Sequence, residues 1–336
     1  MMKKVLMVLL GLGVAATAIA GPILINGAGA TFPYPIYSKW FDVYSTINPD
    51  MRFNYQSIGS GGGIKQITSK TVDFGATDGP MTDAQLAEAP GRLFHIPMVM
   101  GAVVATYNLP GVEKGLKLAP DVVADIFLGK IIKWDDARIT AANPGIQIPD
   151  MSIVVVHRSD GSGTTYIWVD YLSSVSNEWK LGVGKGTAVN WPIGLGGKGN
   201  EGVAGLVKQT PGALGYVELS YAVKNNLAYA WMQNSAGNFI EPTLESTSKA
   251  AEGVTIPSDF RVSLVNSAND QAYPVAGFTW LLIYRNPDDI VKGKAIVDFI
   301  KWAVHDGQQY TKDLLYAPLP PDVVAMIDKK LEEVKI

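Results

Sequence analysis

The chain has 336 residues, with 28 basic and 31 acidic side chains, 35 glycines, 20 prolines and no cysteine. The lack of cysteine excludes disulfides and thiolate metal sites, so stability must come from an apolar core, for which a hydrophobic content of 47% is ample. The negative balance argues against nucleic acid or an anionic membrane as partner, and the length predicts two domains.

Residues 1–20 read as a secretory signal peptide. Lys3 and Lys4 form the charged start, an apolar run from Val5 to Val14 follows, and Ala18-Ile19-Ala20 supplies the small-x-small pattern. Cleavage is expected after about Ala20, giving an exported protein, and no cysteine stands there to take a lipid anchor. Without Lys3 and Lys4 the balance is 26 basic to 31 acidic residues, a net charge of −5. Any anion must therefore be captured by local geometry, not by the overall field.

Along the rest of the chain, β-type runs alternate with helical spacing. Gly27-Ala28-Gly29-Ala30-Thr31-Phe32 ends the first run and opens the helical segment Pro35–Tyr44. Met51–Ile58 ends in Ser57-Ile58-Gly59-Ser60-Gly61-Gly62-Gly63 before helical spacing at Ile64–Lys70, and Val72–Thr77 is the next strand. Met98–Tyr107 and Phe278–Tyr284 read as fully buried strands able to carry the chain between two lobes. Ala119–Leu128 has helical spacing, and Ile153–Arg158 ends in Arg158-Ser159-Asp160-Gly161-Ser162-Gly163-Thr164-Thr165 before a helix at Tyr166–Val175. Leu214–Leu219 is a further strand. Residues 176–215 read as a long irregular surface element, Glu241–Ser258 as a polar surface excursion and Pro321–Ile336 as an amphipathic helix. The alternation predicts an α/β fold with largely parallel sheets, whose ligands sit beyond the carboxyl ends of strands.

Three small-residue loops therefore stand between strand and helix. A helix N-terminus leaves N–H groups without partners and carries partial positive charge, so it can seat an anion. Taken singly, each loop is more simply a turn, Asp78 before Gly79-Pro80 a turn former, and Arg158 with Asp160 a surface ion pair. Taken together, with an arginine at one loop and hydroxyls at all, they point to an oxyanion held by convergent donors.

Two other patterns carry less. Gly194-Leu195-Gly196-Gly197-Lys198-Gly199 satisfies G-x-G-x-x-G, but Trp191-Pro192 before it makes a poor central strand. It also fails as a phosphate loop of the Walker type, because position 192 is Pro and Gly199 replaces the needed hydroxyl. It is read as a structural or partner-facing loop. His95, His157 and His305 show no metal spacing, and neither Ser60 nor Ser162 sits in G-x-S-x-G. No catalytic residue, metal or cofactor is assigned.

Gly27–Pro33, Asp73–Asp78, Asp160–Thr164 and Trp191–Asn200 resemble, in order, the signature segments of the phosphate-binding protein of the phosphate-specific ABC transporter. Leu128–Asp136 and Pro211–Glu218 fit the same family. The resemblance covers nearly all of the chain beyond the leader. It implies a two-lobed periplasmic-binding-protein fold of the class II type, each lobe a mixed, mostly parallel sheet flanked by helices, with the ligand cleft between. Lobe I is expected over 21–105 plus 272–336 and lobe II over 106–271.

The resemblance also implies that Thr31 and the Phe32 amide, Ser60, Asp78, Arg158, Ser162, Gly163 and Thr164 contact phosphate, with Asp160 orienting Arg158. Gly61 departs from the family, where a second Ser is common. So do Thr77, where Ser is common, and His157, where a basic residue is common. Hydrogen phosphate still carries a proton that Asp78 can accept, whereas sulfate has none, so Asp78 is the expected selectivity element. The implied role is capture of inorganic phosphate, as a monomer, for delivery to membrane ABC permease subunits and their ATPase. The alternatives are a secreted phosphatase or phosphotransferase using the same cradle, or a binding protein for another tetrahedral oxyanion.

Overall fold

The computed structural model describes residues 21–336, and the signal peptide expected over 1–20 lies outside the described residues. The strands are β1 (Ile23–Gly29), β2 (Met51–Ser57), β3 (Phe74–Thr77), β4 (Leu93–Tyr107), β5 (Lys117–Leu118) and β6 (Val154–Arg158). They continue with β7 (Leu195–Gly197), β8 (Ala213–Glu218), β9 (Ala228–Tyr229), β10 (Trp231–Gln233), β11 (Phe239–Ile240) and β12 (Ala276–Tyr284). A 9-stranded sheet has the order β2-β1-β3-β12-β4-β8-β6-β7, with β9 paired to β4, and β11-β10-β5 form a small second sheet.

β4 organises the molecule. All 15 of its residues are buried, and it contains no Lys, Arg, Asp or Glu, as a strand covered on both faces requires. Leu93 to Ala102 pair with β12, then Val103 to Tyr107 pair with β8. The register slips between Thr279 and Trp280 opposite Pro97, which has no N–H to give to the ladder. β2, at the edge, alternates half-buried Met51, Phe53 and Tyr55 with exposed Arg52, Asn54 and Gln56.

Strand directions place the site. β1, β2 and β3 are parallel, and β12 runs against both β3 and β4, so β4 points the same way as β1–β3. β8 runs against β4 and parallel to β6, which is parallel to β7. The two parallel groups thus point toward each other, and their carboxyl ends meet midway along β4, near Ala102 and Val103. The expectation of largely parallel sheets holds for these outer strands and fails at β12 and β4, where the chain passes between the halves.

The helices flank this sheet. Those behind the second and third small-residue loops run Ser60–Thr68 and Gly163–Val175, and so start earlier than the expected Ile64 and Tyr166. Residues 176–215 are not irregular: they hold the helix Asn177–Gly182, β7 and the helix Gly199–Gln209, which buries Val203, Ala204 and Val207. Within Glu241–Ser258, a helix Leu244–Lys249 is closed by a capping box of Thr243 and Ser246 and buries Thr247. The final helix, Pro321–Leu331, buries Val323, Ile327 and Leu331, as its spacing predicts.

Aromatic clusters fill both sides. Phe53 lies 4.7 Å from both Phe41 and Phe299, and Trp168 stacks on Tyr216 at 5.2 Å. Each such pair contributes about 0.5–1.5 kcal/mol beyond area burial, which helps hold the strand ends rigid.

Candidate anion-binding site

β1 ends at Gly29, whose φ of +146° and 2.0 Å approach of a would-be Cβ to the Ala76 carbonyl leave room for no side chain. The loop then carries Thr31 and Phe32, both buried, into the helix Tyr34–Ile47. The second loop turns at Gly59, with φ +87°, so that Ser60 starts its helix. The third loop puts Ser162 at the N-cap of Gly163–Val175, where its Oγ accepts the Thr165 amide at 3.0 Å.

The second and third loops pack backbone to backbone. The Gly61 N–H donates to the Gly161 carbonyl at 2.9 Å, and a Cβ on Gly61 would lie 3.0 Å from the Gly161 Cα. Gly61 is therefore a close-approach glycine. Gly163 faces the opposite loop as closely, since its Cβ would stand 2.5 Å from both Asp78 Oδ2 and Ser60 Oγ.

Asp78 follows β3 and is buried. Its Oδ1 accepts from Thr279 Oγ1 at 2.7 Å, and its amide donates to Ser60 Oγ at 3.1 Å. Arg158, the last residue of β6, has a buried guanidinium gripped by Asp160, with Nε to Oδ1 at 2.8 Å and Nη2 to Oδ2 at 2.6 Å. That two-pronged geometry leaves Nη1 with only a loose 3.5 Å contact to Thr164 Oγ1.

The backbone completes the donor set. Among the described residues, the amides of Thr31, Phe32, Ser60, Gly163 and Thr164 have no acceptor, the last three because they open helices. The Ser162 amide donates to the Thr187 carbonyl at 2.7 Å, so only its hydroxyl proton remains to give.

A PBP superfamily domain model matches residues 16–306. The phosphate-binding protein PstS of Xylella fastidiosa (strain 9a5c) is 46% identical over 91% of this chain and 84% of its own length. PstS of Pasteurella multocida (strain Pm70) is 47% identical over 90% of this chain and 88% of its own. This chain belongs to the PstS family of the PBP superfamily. Solved structures agree on the fold. A high affinity periplasmic phosphate-binding protein bound with phosphate superposes with TM-score 0.73 at 20% identity, covering 91% of this chain and 93% of that one. A phosphate binding protein from Stenotrophomonas maltophilia gives TM-score 0.69 at 19% identity, covering 92% and 93%. The fold is the two-lobed one of periplasmic binding proteins.

Burial sets the electrostatics of the site. It pushes the Asp78 carboxyl up to about 7, against the lowering pull of Thr279, Arg158 and Ser60. Burial also acts to raise Asp160, but its bonds to Arg158 and to the Gly199 amide win and hold it below the usual carboxylate range. Asp160 thus offsets much of the Arg158 charge, and amide and hydroxyl dipoles join the Arg158 Nη1 in attracting an anion. A second cationic cleft, lined by Arg92, His95, Arg261 and Lys330, lacks this preparation. Arg261 there is paired with Asp83 and Asp259, and burial, with Arg261 nearby, holds the His95 imidazole down at about 3 and so uncharged.

All nine residues singled out from the sequence stand in one linked group. Three partners escape sequence reasoning. Asn200 Nδ2 donates to both Thr31 Oγ1, at 2.8 Å, and Thr164 Oγ1, at 3.1 Å, tying the first loop to the third. The segment read as structural or partner-facing thus ends inside the site, and the Gly199 amide supports Asp160 at 3.0 Å. Asn200 closes a family motif, yet nothing in its residue type points inward. Thr279 leaves a signal, as the one hydroxyl in the otherwise apolar run Phe278–Ile283. Glu218, the third, is fully buried at the end of β8, and burial pushes its carboxyl up to about 8 despite bonds from Ser220 and Tyr316.

Proposed function

We propose that the protein captures inorganic phosphate between two lobes, residues 21–105 with 272–336 and residues 106–271, and delivers it from the periplasm to ABC permease subunits and their ATPase. Support for that division comes from β4, which changes partners at Val103, and from the returning chain, whose Val275 carbonyl accepts the Val103 amide at 2.8 Å. The observation that carries the reading is the facing of Asp78 and Ser60 against the Gly163 N-terminus, with a guanidinium beside it.

In this reading the amides of Thr31, Phe32, Ser60, Gly163 and Thr164, the hydroxyls of Thr31, Ser60, Ser162 and Thr164, and Arg158 donate to phosphate oxygens. Each bond to a charged group contributes about 1.5–3 kcal/mol, so convergence of many compensates for taking the anion out of water. Asp160 holds the guanidinium plane, and Asp78 accepts the proton that hydrogen phosphate retains. Only the closed form presents donors from both sides at once, so ligand favours closure. Calorimetric titration with phosphate, sulfate, arsenate and a phosphate monoester tests this. Tight phosphate binding that excess sulfate does not displace is expected, and equal affinity for sulfate would overturn it.

A further inference from the structure

Three consecutive carbonyls of the first loop are each capped by a tyrosine hydroxyl. Tyr55 Oη donates to the Ala30 carbonyl at 2.7 Å, Tyr221 Oη to the Thr31 carbonyl at 2.6 Å and Tyr316 Oη to the Phe32 carbonyl at 2.6 Å. The three come from distant parts of the chain: β2, the helix Leu219–Lys224 and the stretch that follows Leu315. Tyr221 and Tyr316 are buried, and burial pushes both hydroxyls well above their ordinary range, so they remain donors.

A trans peptide points its C=O and the next N–H in opposite directions. Drawing the Ala30 carbonyl to Tyr55 therefore turns the Thr31 N–H the other way, and drawing the Thr31 carbonyl to Tyr221, alongside the Tyr34 amide at 3.2 Å on the same oxygen, does the same for the Phe32 N–H. These are the two loop amides with no acceptor among the described residues. Tyr55 and Tyr316 lie on the loop's own side of the proposed cleft, in 21–105 and 272–336. Tyr221 lies in 106–271, so its bond crosses the cleft. Glu201 Oε1 stands 3.2 Å from the same hydroxyl, on Tyr221's own side, so separation of the lobes leaves the hydroxyl an acceptor.

We propose that Tyr55 and Tyr316 preset the first loop, and that Tyr221 is a closure-dependent positioning residue. It aims the Phe32 amide at the anion and latches the closed form through the Thr31 carbonyl. This rests on the phosphate-binding reading above. In the test, phosphate affinity is measured by calorimetry, and association and dissociation rates by rapid mixing, for the wild type, Tyr221→Phe and Tyr55→Phe. Tyr221→Phe should dissociate phosphate roughly 3- to 10-fold faster with the association rate unchanged, as loss of one neutral hydrogen bond that opening must break implies. Its ligand-free melting temperature should also fall, because the open form loses the bond to Glu201. Tyr55→Phe, whose bond exists whether the cleft is open or closed, should lower the ligand-free melting temperature. A wild type that takes up no phosphate overturns the functional reading and this one with it. A wild type that binds, with Tyr221→Phe dissociating at the wild-type rate, overturns the latch alone.

Discussion

Asp78→Asn tests the selectivity argument most directly. Thr279 Oγ1 holds Asp78 Oδ1 at 2.7 Å, so the carboxamide oxygen takes that place and its NH2 takes the position of Oδ2, beside Ser60 Oγ and Gly163. An acceptor facing the anion becomes a donor. Hydrogen phosphate loses the partner for its proton, one bond to a charged group, worth about 1.5–3 kcal/mol. At about 1.4 kcal/mol per decade this weakens phosphate roughly 10- to 150-fold. Sulfate, which has no proton, loses a repulsive neighbour and gains a donor of similar worth. The phosphate-over-sulfate margin should therefore fall by roughly 10²- to 10⁴-fold when both changes contribute. Competition calorimetry, titrating phosphate with and without excess sulfate, reads that margin. An unchanged margin would refute the assignment of selectivity to Asp78.

Gly163→Ala sets a Cβ 2.5 Å from Asp78 Oδ2 and Ser60 Oγ and should wedge the two sides apart, leaving the fold cooperative by circular dichroism while phosphate binding is lost in calorimetry. Asp160→Ala leaves the Arg158 guanidinium buried without its partner, so denaturant unfolding should show a loss of about 3 kcal/mol alongside weaker phosphate binding. Asp78 and Glu218 hold their protons up to about 7 and about 8 in the folded chain, whereas the unfolded chain releases them near ordinary carboxylate values. The folded state then binds more protons than the unfolded one, so ligand-free stability falls as pH rises from about 4 to 8. Melting curves across that window should flatten in Glu218→Gln, and an unaltered slope would remove Glu218 from the account.

The strand, small-residue loop and helix order is legible because its causes are local. Continuous apolar runs set β4 and β12, and the Ser162 hydroxyl caps an amide three residues on. Helix starts at Ser60 and Gly163 lie ahead of where sequence spacing puts them, because glycine disfavours helix and these first turns are fixed by packing against the facing loop. Family resemblance brings the remaining site residues into view, whereas composition alone leaves each glycine loop a turn.

Amino-acid order thus marked the long buried strands and the loops that open helices, and family resemblance marked the side chains to test against an oxyanion. Tertiary structure decided which loops face each other. That choice follows from the reversal of strand direction across β4, a property of pairing between segments far apart in the chain. Asn200 meets Thr31 across 169 residues and Tyr316 meets Phe32 across 284. Contacts of such separation leave no periodic trace, because nothing in a residue's immediate neighbours depends on the partner it will find.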